Sequence, residues 1–238
     1  MTVPKDHPRF QSLEDRHKIE EGIAKGYTTP TGMIAHGRGE AFDYLIGEQT
    51  TEYARAACEA AAAKLLSTTS VLSANGNVAA LCAEEYVALS EALNIPIEIN
   101  LFYRTPERMK KMEERFLEAG AKEVLGVRAD AEIPSLTSER RKVDSRGIYS
   151  RDTVLVPLED GDRTEHLKKM GKFVIALDLN PLSRTAQQAD ITIIDNITRA
   201  VPLLIELAKK KPVWRGFDNS ENLRGSMETM SRNLTKPI

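Results

Sequence analysis

Polar side chains suited to a phosphorylated ligand follow five short apolar runs of this sequence. A carboxylate such as Asp178 can accept hydrogen bonds from ribose hydroxyls, and a guanidinium such as Arg184 can bind two phosphate oxygens. In chain order, the five polar segments contain Asn75 and Asn77; Tyr103, Arg104 and Thr105; Glu159, Asp160, Asp162, Arg163 and Thr164; Asp178, Asn180, Ser183, Arg184 and Thr185; and Asp195, Asn196, Thr198 and Arg199. Together these groups suit a nucleotide.

A solvated loop would explain any single one of these segments about as well as a binding site does. It explains the five together poorly, because the connections expected at the opposite edge, around Asn94, Gly120 and Gly171, lack this chemistry. Helices that start in the polar segments would also offer unpaired N–H groups and a positive dipole end to an anion. The expected helix starts are Asn77, Thr164, Thr185 and Thr198.

A second cluster of functional side chains lies in the segment 34–47. Two glycines, Gly37 and Gly39, would allow the backbone to approach a ligand closely. The segment begins like a dinucleotide-binding glycine motif but lacks its third glycine, and the sequence contains no P-loop motif. A surface turn that caps a short helix is the alternative interpretation. The cluster comprises, within nine residues, His36, Arg38, Glu40, Asp43 and Tyr44.

Metal sites made by the protein alone are not expected. Asp160 and Asp162 could contact Mg²⁺ that is carried by ATP phosphates, or they could form an exposed turn. The two cysteines, Cys58 and Cys82, belong to no CxxC motif and fall on apolar helix faces, which predicts buried thiols.

The elements that must position these groups follow from hydrophobic periodicity. From residue 70 onward, apolar runs alternate with helical patterns, which predicts βαβ units and a parallel sheet with helices on both faces. Ligands of such sheets bind beyond the carboxyl ends of the strands, where the polar segments lie. The apolar runs are 71–74, 97–102, 124–127, 154–158, 173–179 and 191–194.

The predicted organisation is one α/β domain over residues 1–238. It comprises a helical N-terminal segment (1–67), a sheet core (70–211) and a C-terminal tail (212–238) with one polar helix. The Thr-Pro-Thr-Gly sequence at 29–32 predicts a turn, and Ser12 with Asp15 resembles a capping box. The connection 128–150 is long for a compact domain, so we expect it to be functional or locally mobile.

Composition limits the class of function. A net charge of −2 argues against a general nucleic-acid-binding protein. No apolar run is long enough to span a membrane, and the polar N-terminus has no signal-peptide pattern, so a cytoplasmic location is expected.

Several longer sequence motifs are specific enough to indicate a family. Together they closely resemble the archaeal phosphopantothenate synthetase family, the 4-phosphopantoate–β-alanine ligases, over about residues 4–210. The motifs are HPR at 7–9, IAHGRGEAFDYL at 34–45, NGNVAAL at 75–81, EINLFYRT at 98–105, VPLEDGDRTE at 156–165, DLNPLSRT at 178–185 and DNITRA at 195–200.

The resemblance implies a Rossmann-like homodimer that condenses 4-phosphopantoate with β-alanine at the expense of ATP. AMP and pyrophosphate would be released through an acyl adenylate, in coenzyme A synthesis. The residues that it implies as ATP contacts are Arg16, Arg38, Asp178, Leu179, Asn180, Arg184, Thr185, Asn196 and Ile197.

Other roles are less closely defined. Arg38 and His36 are the candidate catalytic residues, while Arg104, Asn75 and Asn77 are candidate substrate contacts. Arg104 and the segment 140–147 are candidates for holding the 4-phosphate. Two alternatives are an ADP-forming acid–amine ligase and a non-catalytic nucleotide-sensing module.

Overall fold

The central element of the fold is a five-stranded sheet in which every neighbouring pair is parallel. The computed structural model describes residues 4–7, 9–158 and 160–234, so Glu159 of the third polar segment lies outside the described residues. The strand order is β2-β1-β5-β6-β7, and a separate antiparallel pair joins β3 to β4. The strands are β1 (Ser70–Ala74), β2 (Ile97–Ile99), β3 (Ala131–Glu132), β4 (Lys142–Val143), β5 (Thr153–Pro157), β6 (Phe173–Leu177) and β7 (Ile191–Ile193).

Helices connect these strands and precede the sheet, which confirms the predicted α/β class and the helical N-terminal segment. The helices are α1 (Phe10–Lys25), α2 (Pro30–Ile46), α3 (Glu52–Ser67), α4 (Gly76–Leu93), α5 (Pro106–Glu118), α6 (Gly161–Lys169), α7 (Arg184–Gln188), α8 (Ile197–Lys209) and α9 (Asn219–Leu234).

Alternate residues of the strands pack into two separate layers. Leu72 and Ile175 face a large cluster formed with α3, α4 and α8. Val71, Val154 and Val174 face the opposite layer, which contains α6 and the 3-10 turn and hairpin region of residues 131–148. Both faces of the sheet are therefore covered, as expected for a parallel sheet.

The long connection 128–150 forms part of this second layer. Ile133, Leu136, Val143 and Ile148 are buried against the sheet. The segment therefore forms a packed excursion over one face of the sheet, and of the two expectations this packing favours a functional role.

Several local predictions are wrong. Residues 124–127 do not form a strand, because only Leu125 bridges to Glu98. Thr29 is the N-cap of α2 and residues 30–32 form its first turn, so the glycine-containing segment 34–47 is helical as far as Ile46. No side chain caps α1 at Arg9, and Asp15 is buried within that helix instead.

The predicted polar helix of the tail is α9, and it protects the edge of the sheet. Thr192 of β7 donates its N–H to Asn219, and its carbonyl accepts a hydrogen bond from Asn222. These side chains satisfy backbone groups that an edge strand would otherwise leave open. Among the described residues, none of the helices has the length and apolar character needed to cross a bilayer.

Candidate active site

A cleft of about 350 Å³ opens at the carboxyl end of the sheet, where the strand order reverses between β1 and β5. Such reversals leave a crevice because the flanking connections run to opposite sides. Its walls include the segments after β1, β2 and β5 and the start of α2. Its lining residues include Thr28, Thr29, Arg38, Asn75, Gly76, Asn77, Tyr103, Arg108, Arg140 and Asp160.

Asn75 and Asn77, the candidate substrate contacts, line the cleft, and their side chains also fix its walls. Asn75 caps α4 through its amide oxygen and donates to the carbonyl of Pro157 at 2.8 Å, so it joins the two strands of the crevice. Asn77 donates to the carbonyl of Gly32 at 3.0 Å and accepts from Thr28 at 2.5 Å. The start of α2 is thereby held against the start of α4.

Close backbone packing at Gly76 completes this wall. A Cβ atom at Gly76 would lie 2.3 Å from the carbonyl oxygen of Tyr27 and 2.9 Å from the Cα atom of Thr28. Only glycine allows the start of α4 to approach the N-terminal segment so closely.

Three arginines reach the cleft from different elements: Arg38 from α2, Arg108 from α5 and Arg140 from the turn Glu139–Arg141. Arg108 donates to the carbonyls of Tyr103 and Tyr27. Its pKa is lowered mainly by burial and, to a smaller extent, by the positive charge of Arg140. Arg140 is 7% exposed and pairs with Asp160 at 3.1 Å. A cleft with three guanidinium groups suits an anion with more than one charge.

Residues 178–180 follow β6, and Asp178 lies close enough to Arg38 to feel its charge. Asp178 accepts hydrogen bonds from the N–H of Asn180 at 2.9 Å and from the hydroxyl of Ser183 at 2.6 Å. Burial raises the pKa of Asp178, whereas these hydrogen bonds and the charge of Arg38 oppose the rise. Leu179 packs with α2, since a Cβ on Gly39 would lie 3.5 Å from it.

The predicted contacts at 184 and 185 belong to α7, next to the start of α6. Arg184 pairs with Asp162 at 2.6 Å and with Glu165 at 3.0 Å, while Thr185 is buried. Asp160 caps α6 by accepting the N–H of Arg163. Asp160 and Asp162 are therefore each paired with an arginine and do not form an open pair of carboxylates.

Asn196 lies at the start of α8, where the N-terminal helices meet the end of β7. Its amide caps the helix at Thr198 and donates to Asp43 of α2 at 3.1 Å. Arg16 of α1 forms an ion pair with Glu40 of α2 at 2.9 Å. The structure thus brings α2 to the carboxyl end of β7, and the roles of Arg16 and Asn196 as ATP contacts stay predictions.

His36 lies half-buried on α2, on the side that faces α1 rather than among the residues that line the cleft. Burial lowers its pKa, and the negative charges of Asp15, Glu40 and Asp43 act in the opposite direction. Its catalytic role stays a prediction.

Arg104 has backbone partners outside the cleft. It donates to the carbonyls of Gly126 and Val127 at 2.6 and 3.1 Å, and it is absent from the residues that line the cleft. By contrast, Arg140 belongs to the segment 140–147 that the sequence proposed for the phosphate, while Arg108 was missed. The one signal for Arg108 is its place in the first turn of α5, the helix that follows the polar segment 103–105 at the end of β2.

The position of Arg140 depends on polar contacts between β2 and the excursion. The carboxylate of Glu98, which is fully buried, accepts the N–H groups of Asp144 at 2.9 Å and Ile148 at 2.5 Å. Asn100 donates to the carbonyl of Arg140 at 3.1 Å. These bonds hold residues 140–148 against the end of β2.

The buried Glu98 carboxyl predicts a specific dependence of stability on pH. Burial raises its pKa to about 7, despite the opposing backbone hydrogen bonds. Because the folded pKa exceeds the unfolded one, stability is greatest below the unfolded value and declines as pH rises through about 7. We expect this carboxyl to reduce the free energy of unfolding by about 2 kcal/mol between about pH 5.5 and about pH 8.

Urea unfolding of the wild type and Glu98→Gln measures this contribution. The variant cannot ionise at this position, so its free energy of unfolding should change less with pH, whatever its absolute stability. Equal pH slopes for the two proteins would contradict the prediction.

Comparison with known proteins identifies the family. A family model described as phosphopantothenate/pantothenate synthetase matches residues 53–233. This chain belongs to that family. The prediction made from the motifs is confirmed, and with it the assignment to the ligases.

Curated archaeal relatives match almost the whole chain. A protein of Thermococcus onnurineus named 4-phosphopantoate–β-alanine ligase is 53% identical, over 98% of this chain and 94% of its own length. Proteins of the same name from Thermococcus kodakarensis and Methanosarcina mazei are 57% and 51% identical. The matches cover 88% and 98% of this chain, and 81% and 95% of those relatives.

Proposed function

We propose that this protein joins the carboxylate of 4-phosphopantoate to the amine of β-alanine, using ATP and releasing AMP and pyrophosphate. The product would be 4′-phosphopantothenate for coenzyme A synthesis. The single observation that carries the site assignment is the position of Arg38. It lines the cationic cleft, and its charge also acts on Asp178 at the neighbouring strand end.

The two substrates are assigned to the two sides of Arg38. ATP is placed along residues 178–185 and 196–197, with Arg16 and Arg38 supplied by the N-terminal helices. The acid is placed in the cleft, where Arg108 and Arg140 offer positive charge to its phosphate. Asn75 and Asn77 would contact this substrate at the start of α4.

The reaction requires activation because a carboxylate is a poor acyl donor. A carboxylate oxygen of phosphopantoate attacks the α-phosphorus of ATP, and pyrophosphate leaves. The unprotonated amine of β-alanine then attacks the acyl carbon, and AMP leaves with that oxygen. Arg38 lies where the two anions meet, so it can offset their repulsion and the charge that develops at phosphorus.

Mg²⁺ would be brought by ATP rather than held in a protein-made site. Asp160 and Asp162 are paired with Arg140 and Arg184, and the described residues contain no group of three or more metal-ligating side chains. When bound to the triphosphate, Mg²⁺ would supply charge neutralisation.

Product analysis tests this function against its alternatives. Purified protein is supplied with ATP and Mg²⁺, with both acceptor substrates or with either one left out. We expect AMP and pyrophosphate to accumulate with 4′-phosphopantothenate only in the complete mixture. ADP and phosphate would indicate the other class of ligase, and binding of ATP without turnover would indicate a sensing module.

Asp178 provides a separate test of the nucleotide position. We expect Asp178→Ala to weaken ATP binding by about 1.5–3 kcal/mol, the range for a hydrogen bond to a charged group. Isothermal calorimetry measures the change. Asp190→Ala is the matched control, because it removes a carboxylate that lies before β7, at the opposite end of the sheet, where it pairs with Lys168. Unchanged affinity in Asp178→Ala would place the nucleotide elsewhere.

The organisation as a single domain, the homodimer and the cytoplasmic location stay predictions. Sedimentation velocity of the purified protein tests the homodimer directly.

A further inference from the structure

A network of buried charges lies where the N-terminal helices meet the start of α8. Asp15 of α1, Asp43 of α2 and Asp195 after β7 are 1%, 3% and 0% exposed. Arg199 of α8 donates to both oxygens of Asp43 and to Asp195 at 2.8 Å. A network of three buried acids and one guanidinium is costly unless each carboxylate oxygen has a hydrogen-bond donor.

Asn196 is a further donor in this network, and its amide nitrogen donates to two of the acids. Its amide nitrogen donates to Asp43 at 3.1 Å and to Asp15 at 3.4 Å. Its amide oxygen accepts the N–H of Thr198 at 3.2 Å, and the hydroxyl of Thr198 can donate either to this oxygen or to Asp15. An amide has two N–H donors and one oxygen acceptor, so little of it is left for a ligand.

The contact that this turn can offer to ATP is therefore its backbone. The N–H groups of Asn196 and Thr198 already donate to the side chains of Asp195 and Asn196, which leaves the N–H of Ile197, the first residue of α8, to donate to an anion. Its direction is set by the turn 195–198, which the side chain of Asn196 holds against Asp43.

We propose that Asp43, held in place by Arg199, is a positioning residue that fixes the turn 195–198 so that the backbone N–H of Ile197 meets ATP. Asp43 acts through Asn196 and does not contact the nucleotide. The inference rests on the proposed function, because it takes the nucleotide to lie at this turn.

Asp43→Asn is the sharpest variant because it keeps the size of the side chain. Arg199 and Asn196 both present donors to Asp43, whereas an asparagine has a single acceptor oxygen and adds N–H groups. We expect the KM for ATP to rise about tenfold, as for a lost hydrogen bond to a charged group. The KM for 4-phosphopantoate should stay within roughly twofold of wild type, because this effect is confined to nucleotide binding.

A double-mutant cycle separates positioning from general loosening of the fold. Asn196→Ala alone should raise the KM for ATP about as much as Asp43→Asn. If the two residues act together, the double variant should be no more than roughly twofold worse than either single variant. Asp190→Asn is the matched control, because it disrupts the Lys168–Asp190 pair before β7, away from the carboxyl edge, and should leave the KM for ATP unchanged.

The outcomes distinguish this inference from the function on which it rests. If Asn196→Ala raises the KM for ATP and Asp43→Asn does not, or if the two effects multiply, the positioning role is wrong. If ATP is turned over and neither variant changes its KM, the nucleotide does not lie at this turn, and the placement of ATP is wrong as well.

Discussion

Replacement of Arg38 by alanine is expected to lower kcat by about 100-fold or more, the scale observed when one preorganised donor to developing charge is removed. Arg38 is exposed on α2 and lines the cleft, and its charge opposes the raised pKa of Asp178. It therefore lies between the proposed positions of the acid and of ATP. The KM for ATP should rise less than kcat falls, because the interaction strengthens in the transition state.

Arg38→Lys and a remote arginine provide the controls. Lysine keeps the charge but lacks the planar fork that binds two oxygens, so it should restore only part of kcat. Arg55→Ala removes an exposed arginine from α3, outside the proposed site, and should leave kcat unchanged. Initial rates of AMP formation measure all three variants. A normal kcat in Arg38→Ala would exclude this residue from the chemistry.

The carboxyl ends of the strands could be predicted because the sequence signals for them are local. A buried strand of apolar residues followed by Asp178 and Asn180 indicates a strand end in any parallel sheet. The same reasoning failed for residues 124–127, which are apolar but reach the sheet through one bridge from Leu125 to Glu98. A short apolar run does not show whether its backbone will pair with a strand over several residues or touch it at one residue only.

The form of α2 was missed because its glycines favour other conformations in isolation. Three of its positions, Gly32, Gly37 and Gly39, lower its intrinsic helix propensity. Tertiary contacts offset that cost: Gly32 is held by Asn77, and Gly39 packs near Leu179. The motif at 34–45 identifies the family by its residue types, which do not specify its helical form.

The cations of the cleft depend on contacts between distant parts of the chain. Arg140 reaches the cleft because Glu98 and Asn100 hold the excursion on the end of β2. Arg108 is fixed by a carbonyl of Tyr27, a residue from the segment between α1 and α2. These contacts join residues that are far apart in the sequence, so no local pattern predicts them. The basic segment 140–147 was a candidate on its composition, whereas Arg108 had no such signal.

Oxygen transfer from the acid to AMP is the second large expected effect. The proposed first step bonds a carboxylate oxygen of phosphopantoate to the α-phosphorus, and that oxygen remains on AMP when the amine displaces it. An acyl phosphate formed at the γ-phosphorus would instead transfer the oxygen to inorganic phosphate. No covalent step on the protein is needed, and Cys58 and Cys82 are buried thiols with pKa values raised by burial.

Labelling the phosphopantoate carboxylate with oxygen-18 decides between these routes. Under single-turnover conditions with ATP and β-alanine, mass spectrometry should find one labelled oxygen in essentially every AMP and none in pyrophosphate. A parallel reaction with unlabelled acid in oxygen-18 water is the control, because label from solvent would reveal hydrolysis of ATP instead of acyl transfer. Label in inorganic phosphate, or a stable mass adduct on the protein, would exclude the acyl adenylate, since neither can arise when the α-phosphorus accepts the carboxylate oxygen.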